Sequence, residues 1–157
     1  MDIKYSSEVP PRIEGGGVKR TLNYNIRELT ESELQELWQR ESNREEMNYE
    51  SWKIEHKYAY CSVTIGNARW TYSGVVEAII REKYTIDEME AITNNMAAVT
   101  AVFLQTLVSD GIVEATKYLK NSIDDDNSII FKEMQEWRAL AKREAKELFM
   151  KELFAKG

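Results

Sequence analysis

One stretch near the middle of the chain is constrained to be a long helix. Thr85 and Glu88 have the spacing of a capping box, in which each side chain satisfies a free backbone amide at a helix start. Apolar side chains then recur at three- and four-residue steps: Met89, Ile92, Met96, Val99 and Phe103. Small or apolar residues widen this stripe: Ala91, Ala98, Val102 and Leu104. A helix that is apolar on so much of its surface belongs at the centre of a core or of an oligomer.

Several other helices are predicted, because the 157 residues include only two prolines and seven glycines. Thr30 and Glu33 form a second capping box, and the apolar stripe that follows ends at Trp38. Ser73 is the expected cap of a third helix, and residues 112–119 are expected to be helical. Acidic and capping residues at 124–128 favour the start of a last helix. Its predicted stripe is Ile130, Met134, Trp137, Ala141, Ala145 and Leu148, extended by Phe149 and Leu153.

Two stretches have the period-two pattern of β-strands. Residues 18–26 place Val18, Leu22, Tyr24 and Ile26 on one face. Further on, Gly66 and Asn67 are suited to a two-residue hairpin turn. Pairing across that turn puts six residues on one apolar face: Cys61, Val63, Ile65, Ala68, Trp70 and Tyr72. The prediction is a strand plus a β-hairpin.

Together these signals predict an α+β fold that is mostly helical, with a small antiparallel sheet, one strand plus a β-hairpin, packed on helices. Pro10 and Pro11 favour extended backbone, and three glycines at 15–17 form a flexible joint. We therefore expect residues 1–17 to be an N-terminal arm, either flexible or ordered by a partner. Residues 18–157 are expected to form a single domain.

The charge balance disfavours nucleic acid as a partner. The chain carries a net charge of −6, and an acidic surface repels phosphate at long range. One basic row is a weak nucleic-acid candidate, because Arg138, Lys142 and Lys146 recur at four-residue steps. Glutamates are interleaved with this row, so a solvated, ion-paired face is the favoured interpretation.

No constellation of residues with catalytic or metal-binding spacing is evident. His56 is the only histidine, and the single cysteine, Cys61, falls on the predicted buried face. The acidic run after residue 123 resembles the start of a calcium loop, but Ile129 and Gln135 stand where that loop needs glycine and glutamate. We therefore predict no catalytic residues, no cofactor, no metal and no identifiable small-molecule substrate; the chain is not expected to be an enzyme.

The sequence also predicts no membrane association. The N-terminus lacks the apolar run of a signal peptide, and the apolar residues 96–108 are interrupted by polar ones and too few to span a bilayer. The single cysteine allows no internal disulfide, which fits a reducing compartment. We expect the protein in the cytoplasm of the cell that makes it.

Several short segments carry a resemblance to a known group of proteins. They are Trp70 to Val76, Ile80 to Tyr84, Met89 to Asn95, Met134 to Arg138, and Ala141 with Lys142. With these segments the chain resembles small uncharacterised proteins encoded among the virion genes of tailed phages and prophages, over roughly residues 18–148. It departs from them at the apolar residues 97–108. The resemblance implies a structural or assembly role and carries over no functional residues.

The leading hypothesis is a non-enzymatic phage or prophage protein of virion morphogenesis, in the head, connector or tail region, which acts by protein–protein contact with itself or other virion proteins. The expected interface is Met89, Ile92, Met96, Val99 and Phe103, together with Trp38. A second hypothesis is a small acidic regulatory or inhibitory module that occupies a host protein through Glu41, Glu45, Glu46 and Glu50. The third is weak nucleic-acid binding through the basic row.

Overall fold

The computed structural model describes residues 1–42, 44–123 and 126–154. Its four strands are β1 Lys4–Ser6, β2 Ile13–Glu14, β3 Lys19–Glu28 and β4 Tyr58–Gly66. Its six α-helices, within the described residues, are α1 Glu31–Arg40, α2 Tyr49–Glu55, α3 Tyr72–Arg81, α4 Ile86–Ser109, α5 Ile112–Ile123 and α6 Asp126–Phe154. Short 3-10 helices lie at Arg44–Glu46 and Asn67–Arg69. The architecture is 64% helical with a small antiparallel sheet, which confirms the predicted α+β class.

The sheet is built around one long antiparallel pair. Its strand order is β1-β4-β3-β2, and β3 pairs with β4 from Lys19 opposite Gly66 to Glu28 opposite Tyr58. The pairing is interrupted by a bulge between Tyr24 and Arg27, where Asn25 has a φ of 51°. Asparagine tolerates this left-handed conformation better than most residues.

The second strand of the predicted hairpin is absent from the described residues, and that prediction was wrong. Residues 67–69 form a 3-10 turn instead, and α3 begins at Tyr72. The hydroxyl of Thr71, rather than that of Ser73, accepts the amide hydrogen of Gly74 at 3.1 Å. A helix cap therefore lies where the strand was expected. Cys61, Val63 and Ile65 are buried as predicted, whereas Ala68 and Tyr72 are exposed and Trp70 is half-buried.

The N-terminal segment contributes both outer strands of the sheet. The structure differs here from the expected arm, because β1 pairs with the start of β4 and β2 pairs with β3. Asn23 helps to hold β2: its side-chain amide donates to the Pro11 carbonyl at 2.8 Å and to the Glu14 carboxylate at 2.7 Å. Leu22 and Tyr24 are buried as predicted, while Val18 is 81% exposed, which contradicts its predicted place on the apolar face.

The chain divides into two compact units, although a single domain was expected for residues 18–157. The first unit consists of residues 1–78 and those from Glu144 onwards, and the second of residues 79–143. In the first unit a core cluster of Leu29, Leu34, Trp52 and Ala59 is joined by half-buried Tyr5, Leu37, Trp38, Met47 and Tyr49. Buried apolar side chains of the second unit are Ile79, Ile80, Tyr84, Ala115, Met134, Trp137 and Ala141.

The ends of the helices follow the sequence closely. Both capping boxes, at Thr30 with Glu33 and at Thr85 with Glu88, are present. Gly111 follows the end of α4 with a φ of 84°, as a residue just past a helix C-terminus often does. The acidic residues at 124 and 125 lie outside the described residues, and α6 begins at Asp126.

Candidate functional site

The expected interface stripe lies on α4, which none of its neighbours covers fully. Met89, Ile92, Met96, Val99 and Phe103 are all half-buried. No residue of this 24-residue helix is buried. Trp38, the sixth predicted interface residue, lies on α1 in the first unit and is also half-buried. The structure thus contains the predicted helix, and it leaves the stripe only partly covered.

A second apolar surface flanks the turn between α4 and α5. Leu104 is 53% exposed, Val108 is 89% exposed and Ile112 is 72% exposed. Leu107 and Val113 are exposed as well. We call these five residues the apolar tip. Soluble monomers rarely expose large contiguous apolar patches, so this surface is a candidate contact site.

The hydroxyl side chains of α4 are satisfied within the helix itself. Four hydroxyls donate to the carbonyl four residues earlier: Thr93 to Met89 at 2.7 Å, Thr100 to Met96 at 3.0 Å, Thr106 to Val102 at 2.9 Å and Ser109 to Gln105 at 2.9 Å. A hydroxyl bonded in this way does not need water to complete its hydrogen bonding. Covering this helix with an apolar surface therefore leaves these four hydroxyls with their hydrogen bonds intact.

Residues 91–109 contain no Asp, Glu, Lys, Arg or His. At 1.5 Å per residue this charge-free part of α4 is about 28 Å long. By length and composition alone, α4 is the one helix among the described residues that suffices to cross a membrane. This differs from the expectation that the apolar stretch is too short to span a bilayer. Uncharged polar residues within α4 do not shorten its charge-free length.

The N-terminus of α4 is fixed by its capping box. The Glu88 carboxylate accepts the Thr85 amide hydrogen at 2.7 Å, and the Thr85 hydroxyl accepts the Glu88 amide hydrogen at 3.2 Å. The bond from the Thr85 backbone, together with that from its hydroxyl, lowers the pKa of Glu88 below its ordinary value. The carboxylate is therefore ionised at neutral pH, beside the positive end of the helix dipole.

Elsewhere in the second unit, side-chain bonds connect α4 with α6 and α3 with α6. The Asn95 amide donates to the Asn127 side-chain oxygen at 3.4 Å. The indole of Trp137 donates to the Ile79 carbonyl at 3.0 Å, in a buried position. The tryptophan predicted for the stripe of the last helix is therefore a structural anchor between α3 and α6.

An aromatic cluster with acidic surroundings lies in the first unit, on α1 and α2. The ring centroids of Trp38 and Trp52 are 5.3 Å apart, and those of Trp38 and Tyr49 are also 5.3 Å apart. The Tyr49 hydroxyl donates to the Glu31 carboxylate at 2.9 Å. Glu31 is also paired with Lys53, and hydrogen bonds from Lys53 and then Tyr49 lower its pKa. Residues 31–56 hold eight acidic and three basic side chains, so they carry −5 of the net charge of −6.

The basic row does not form a uniform cationic face. Arg138 is half-buried and lines an open groove of about 560 Å³ with Ile80, Ile86, Met89, Glu90, Thr93 and Asn94. Lys142 and Lys146 are exposed. Glu90 brings an opposite charge to the groove that holds the one half-buried member of the row.

The two reactive side chains considered from the sequence have ordinary surroundings. His56 stacks on Trp52 with ring centroids 4.1 Å apart, and its Nδ1 lies 2.8 Å from the Trp52 carbonyl oxygen. Cys61 is buried in the sheet. Among the described residues, no group of three His, Cys, Asp or Glu side chains is placed to hold a metal ion.

No family model matches the chain, and neither the curated proteins nor the solved structures contain a significant match.

Sequence reasoning located the stripe but missed the apolar tip. Apolar periodicity indicates which residues share a helix face, and it does not show whether another element covers that face. Leu107, Ile112 and Val113 lie near a predicted helix end and were not singled out. The available signal was the absence of charge from residues 91–109, which is uncommon on a solvent-exposed helix.

Proposed function

We propose that this protein is a non-enzymatic assembly protein that binds copies of itself through α4 and the apolar tip. The observation that carries the proposal is that a helix without charges at residues 91–109 has no buried residue. Burial of apolar surface contributes about 25 cal/mol per Å², so covering the stripe and the tip together is a strong driving force for association.

A second copy is the occupant favoured by the chemistry of the surface. A partner with charged side chains at the contact would bury them opposite a helix that offers no counter-charge, which is costly. Another copy of α4 brings the same charge-free, internally hydrogen-bonded surface. A two-fold contact between identical patches is also the commonest arrangement in soluble oligomers.

Packing of α5 argues against α4 crossing a membrane. The two helices are in contact and are joined by a tight turn at residues 110–111. The neighbouring helix carries a salt bridge between Lys117 and Glu114, with the amine nitrogen 2.6 Å from the carboxylate. Placing α4 in a bilayer with α5 still packed on it would carry these charges into hydrocarbon. A contact with another protein would bury the apolar surface of α4 and leave the charged side chains of α5 in water.

The setting we propose for this association is the assembly of a tailed-phage virion. The support is the resemblance of residues 18–148 to proteins encoded among virion genes, together with a surface suited to repeated contacts. Copurification with particles tests this setting: the protein should be found in purified virions at a fixed copy number. Its detection only in infected-cell lysate, outside particles, would contradict a virion role while leaving self-association in place.

Self-association through α4 is tested by size-exclusion chromatography with light scattering. The double variant Leu104→Lys, Val108→Lys places like charges on exposed positions of the contact and should lower the mass by at least one copy relative to the wild type. The control Ser32→Lys, Gln35→Lys adds the same charge at exposed positions of α1 and should keep the wild-type mass. A wild-type monomer that binds lipid vesicles, or equal masses for all three proteins, would overturn the proposal.

A second candidate function, an acidic module that docks a basic protein segment, is favoured by the aromatic cluster. Half-buried Trp38 and Tyr49 lie in the segment that holds most of the net negative charge. Tryptophan, tyrosine and arginine are the residues most enriched at binding hot spots. Titration of an arginine-rich peptide, followed by tryptophan fluorescence, should show salt-sensitive binding that Glu45→Lys, Glu46→Lys weakens. Binding unaffected by that variant or by salt would exclude this function.

A further inference from the structure

About half of strand β4 has no partner strand on one of its two sides. β4 is paired with β3 on one side along its whole length, from Tyr58 to Gly66. On the other side β1 reaches only Tyr60, and Met1 and Ile3, which precede β1, line a small cavity with Tyr60 and Cys61. Among the residues that the structure describes, no strand pairs with residues 62–66 on that side. Backbone donors and acceptors at such an edge are available to an added strand.

The open edge lacks the features that normally prevent strand addition. Natural edge strands are interrupted by lysine or another charge, by proline, or by a bulge. Tyr58–Gly66 contains no charged residue and no proline. The bulge between β3 and β4 lies on β3, between Tyr24 and Arg27, away from the open half of β4. The sequence Ser-Val-Thr-Ile-Gly at 62–66 is rich in β-branched side chains, which favour pairing.

We propose that residues 62–66 pair antiparallel with the same residues of a second copy, with the two-fold axis at Thr64. In this register Thr64 lies opposite Thr64 of the other copy, Val63 opposite Ile65, and Ser62 opposite Gly66. The whole open stretch is then paired. Apolar residues lie opposite apolar ones and hydroxyls opposite hydroxyls or glycine, so no like charges meet.

A second copy supplies a partner strand that matches this stretch in length and in its lack of charged side chains. An antiparallel dyad at residue 64 pairs odd-numbered residues with odd-numbered ones, so Val63 and Ile65 stay on the core face and Thr64 stays on the exposed face. The register is therefore compatible with the burial already present in each copy. A foreign strand would have to match both the length and the face of this stretch.

This contact is additional to the proposed function and uses the other unit of the chain. Residues 62–66 belong to the first unit and α4 belongs to the second. A chain with two separate two-fold contacts adds copies at both, so it builds chains or closed rings larger than a dimer. Each contact is removed by its own variant, and the two proposals fail independently.

The test uses the position of Thr64, which lies opposite Thr64 of the second copy in this register. Thr64→Lys would place two lysines face to face at the axis, and Thr64→Glu would place two glutamates there; each variant should lose the β4 contact. Mixing the two proteins pairs lysine with glutamate and should restore a heterodimer. The matched control is Thr21→Lys, because Thr21 is the cross-strand neighbour whose hydroxyl lies 3.1 Å from that of Thr64. It loses the same side-chain contact on an inner strand and should associate as the parent does.

The experiment is run by light scattering in the wild type and in the Leu104→Lys, Val108→Lys background, where only the β4 contact should remain. We expect dimers for the background protein and for its Thr21→Lys derivative, monomers for each Thr64 variant alone, and dimers for their mixture. A Thr64→Lys mass equal to that of the Thr21→Lys control, or a mixture that stays monomeric, would overturn the proposal. Unchanged circular dichroism shows that each variant is folded.

Discussion

At the scale of single residues, Glu144 has the most consequential environment in the first unit. Its carboxylate accepts from the Arg12 guanidinium at 2.6 Å and from the backbone N–H of Asn25 at 3.2 Å, and the residue is only 5% exposed. These bonds connect α6 to the chain before β2 and to the bulge of β3. Asn25 has a left-handed backbone conformation that is otherwise rare, and a charged acceptor thereby holds its backbone N–H.

Removing the arginine from this group should destabilise the protein. Arg12→Ala leaves the Glu144 carboxylate nearly buried with its main counter-charge gone, which should cost about 2 kcal/mol in the free energy of unfolding. Urea denaturation followed by tryptophan fluorescence measures this cost. As a control, Arg69→Ala removes an arginine from an exposed ion pair with Glu77 and should cost less than about 1 kcal/mol. Equal costs for both variants would contradict the role given to Glu144.

The capping carboxylate of α4 predicts a dependence of stability on pH. The folded pKa of Glu88 lies below its ordinary value of 4.5, so the ionised form is the one that stabilises the fold. This contribution is complete above pH 4.5 and is lost as the pH falls through the lowered pKa. The stability difference between wild type and Glu88→Gln, measured by urea titration, should therefore be largest near pH 6 and shrink toward pH 3. A difference that stays constant over this range would contradict the assignment.

At the scale of elements, the start of α3 explains why the predicted hairpin does not form. Gly66 has a φ of −66°, so the positive φ of a tight hairpin turn is not used. The chain instead makes a 3-10 turn and enters a helix capped by Thr71. Gly74 allows this close passage, because a Cβ there would overlap the carbonyl oxygen of Arg69. Alternation of side chains at 68–72 is real in the sequence but too short to outweigh a helix cap.

Replacing Gly74 should therefore reverse the usual effect of alanine in a helix. Gly→Ala in a helix ordinarily stabilises by up to about 1 kcal/mol. Here Gly74→Ala should destabilise by about 2 kcal/mol or more, because backbone atoms must move to accommodate the methyl group. The control Gly66→Ala has no atom within 4 Å of the added Cβ and should be near neutral. Thermal unfolding of both variants measures this difference. A Gly74→Ala variant as stable as the control would show that the turn is looser than this packing implies.

How much of each element the sequence predicts depends on whether its signal is local. Capping boxes at Thr30 and Thr85 lie within four residues, so both helix starts were predictable. The strands β1 and β2 are three and two residues long and exist through pairing with distant partners, such as Lys4 with Tyr60. No local pattern distinguishes such short strands from an extended arm. For the candidate site, the stripe of α4 was local and predictable, whereas its exposure depends on which elements pack nearby.

At the scale of the whole molecule, we propose one self-contact in each unit. The apolar surface of α4 and the open edge of β4 differ in chemistry, since the first is driven by apolar burial and the second by backbone pairing. The two contacts should therefore respond differently to solution conditions. The β4 contact should resist mild detergent better than the α4 contact does, because detergent competes for apolar surface. Crosslinking yields of Thr64→Lys and of Leu104→Lys, Val108→Lys, compared with and without detergent, measure this; identical responses would contradict two distinct contacts.

Covering of α4 by another copy of this chain should slow amide hydrogen exchange in that helix. Exchange is measured on the wild-type protein at concentrations below and above the onset of association. Covered helices open less often, so amides in residues 91–109 should exchange more slowly at the higher concentration, while those of α1 stay unchanged. Exchange in residues 91–109 that is independent of concentration, across a range in which the mass of the protein increases, would contradict the claim.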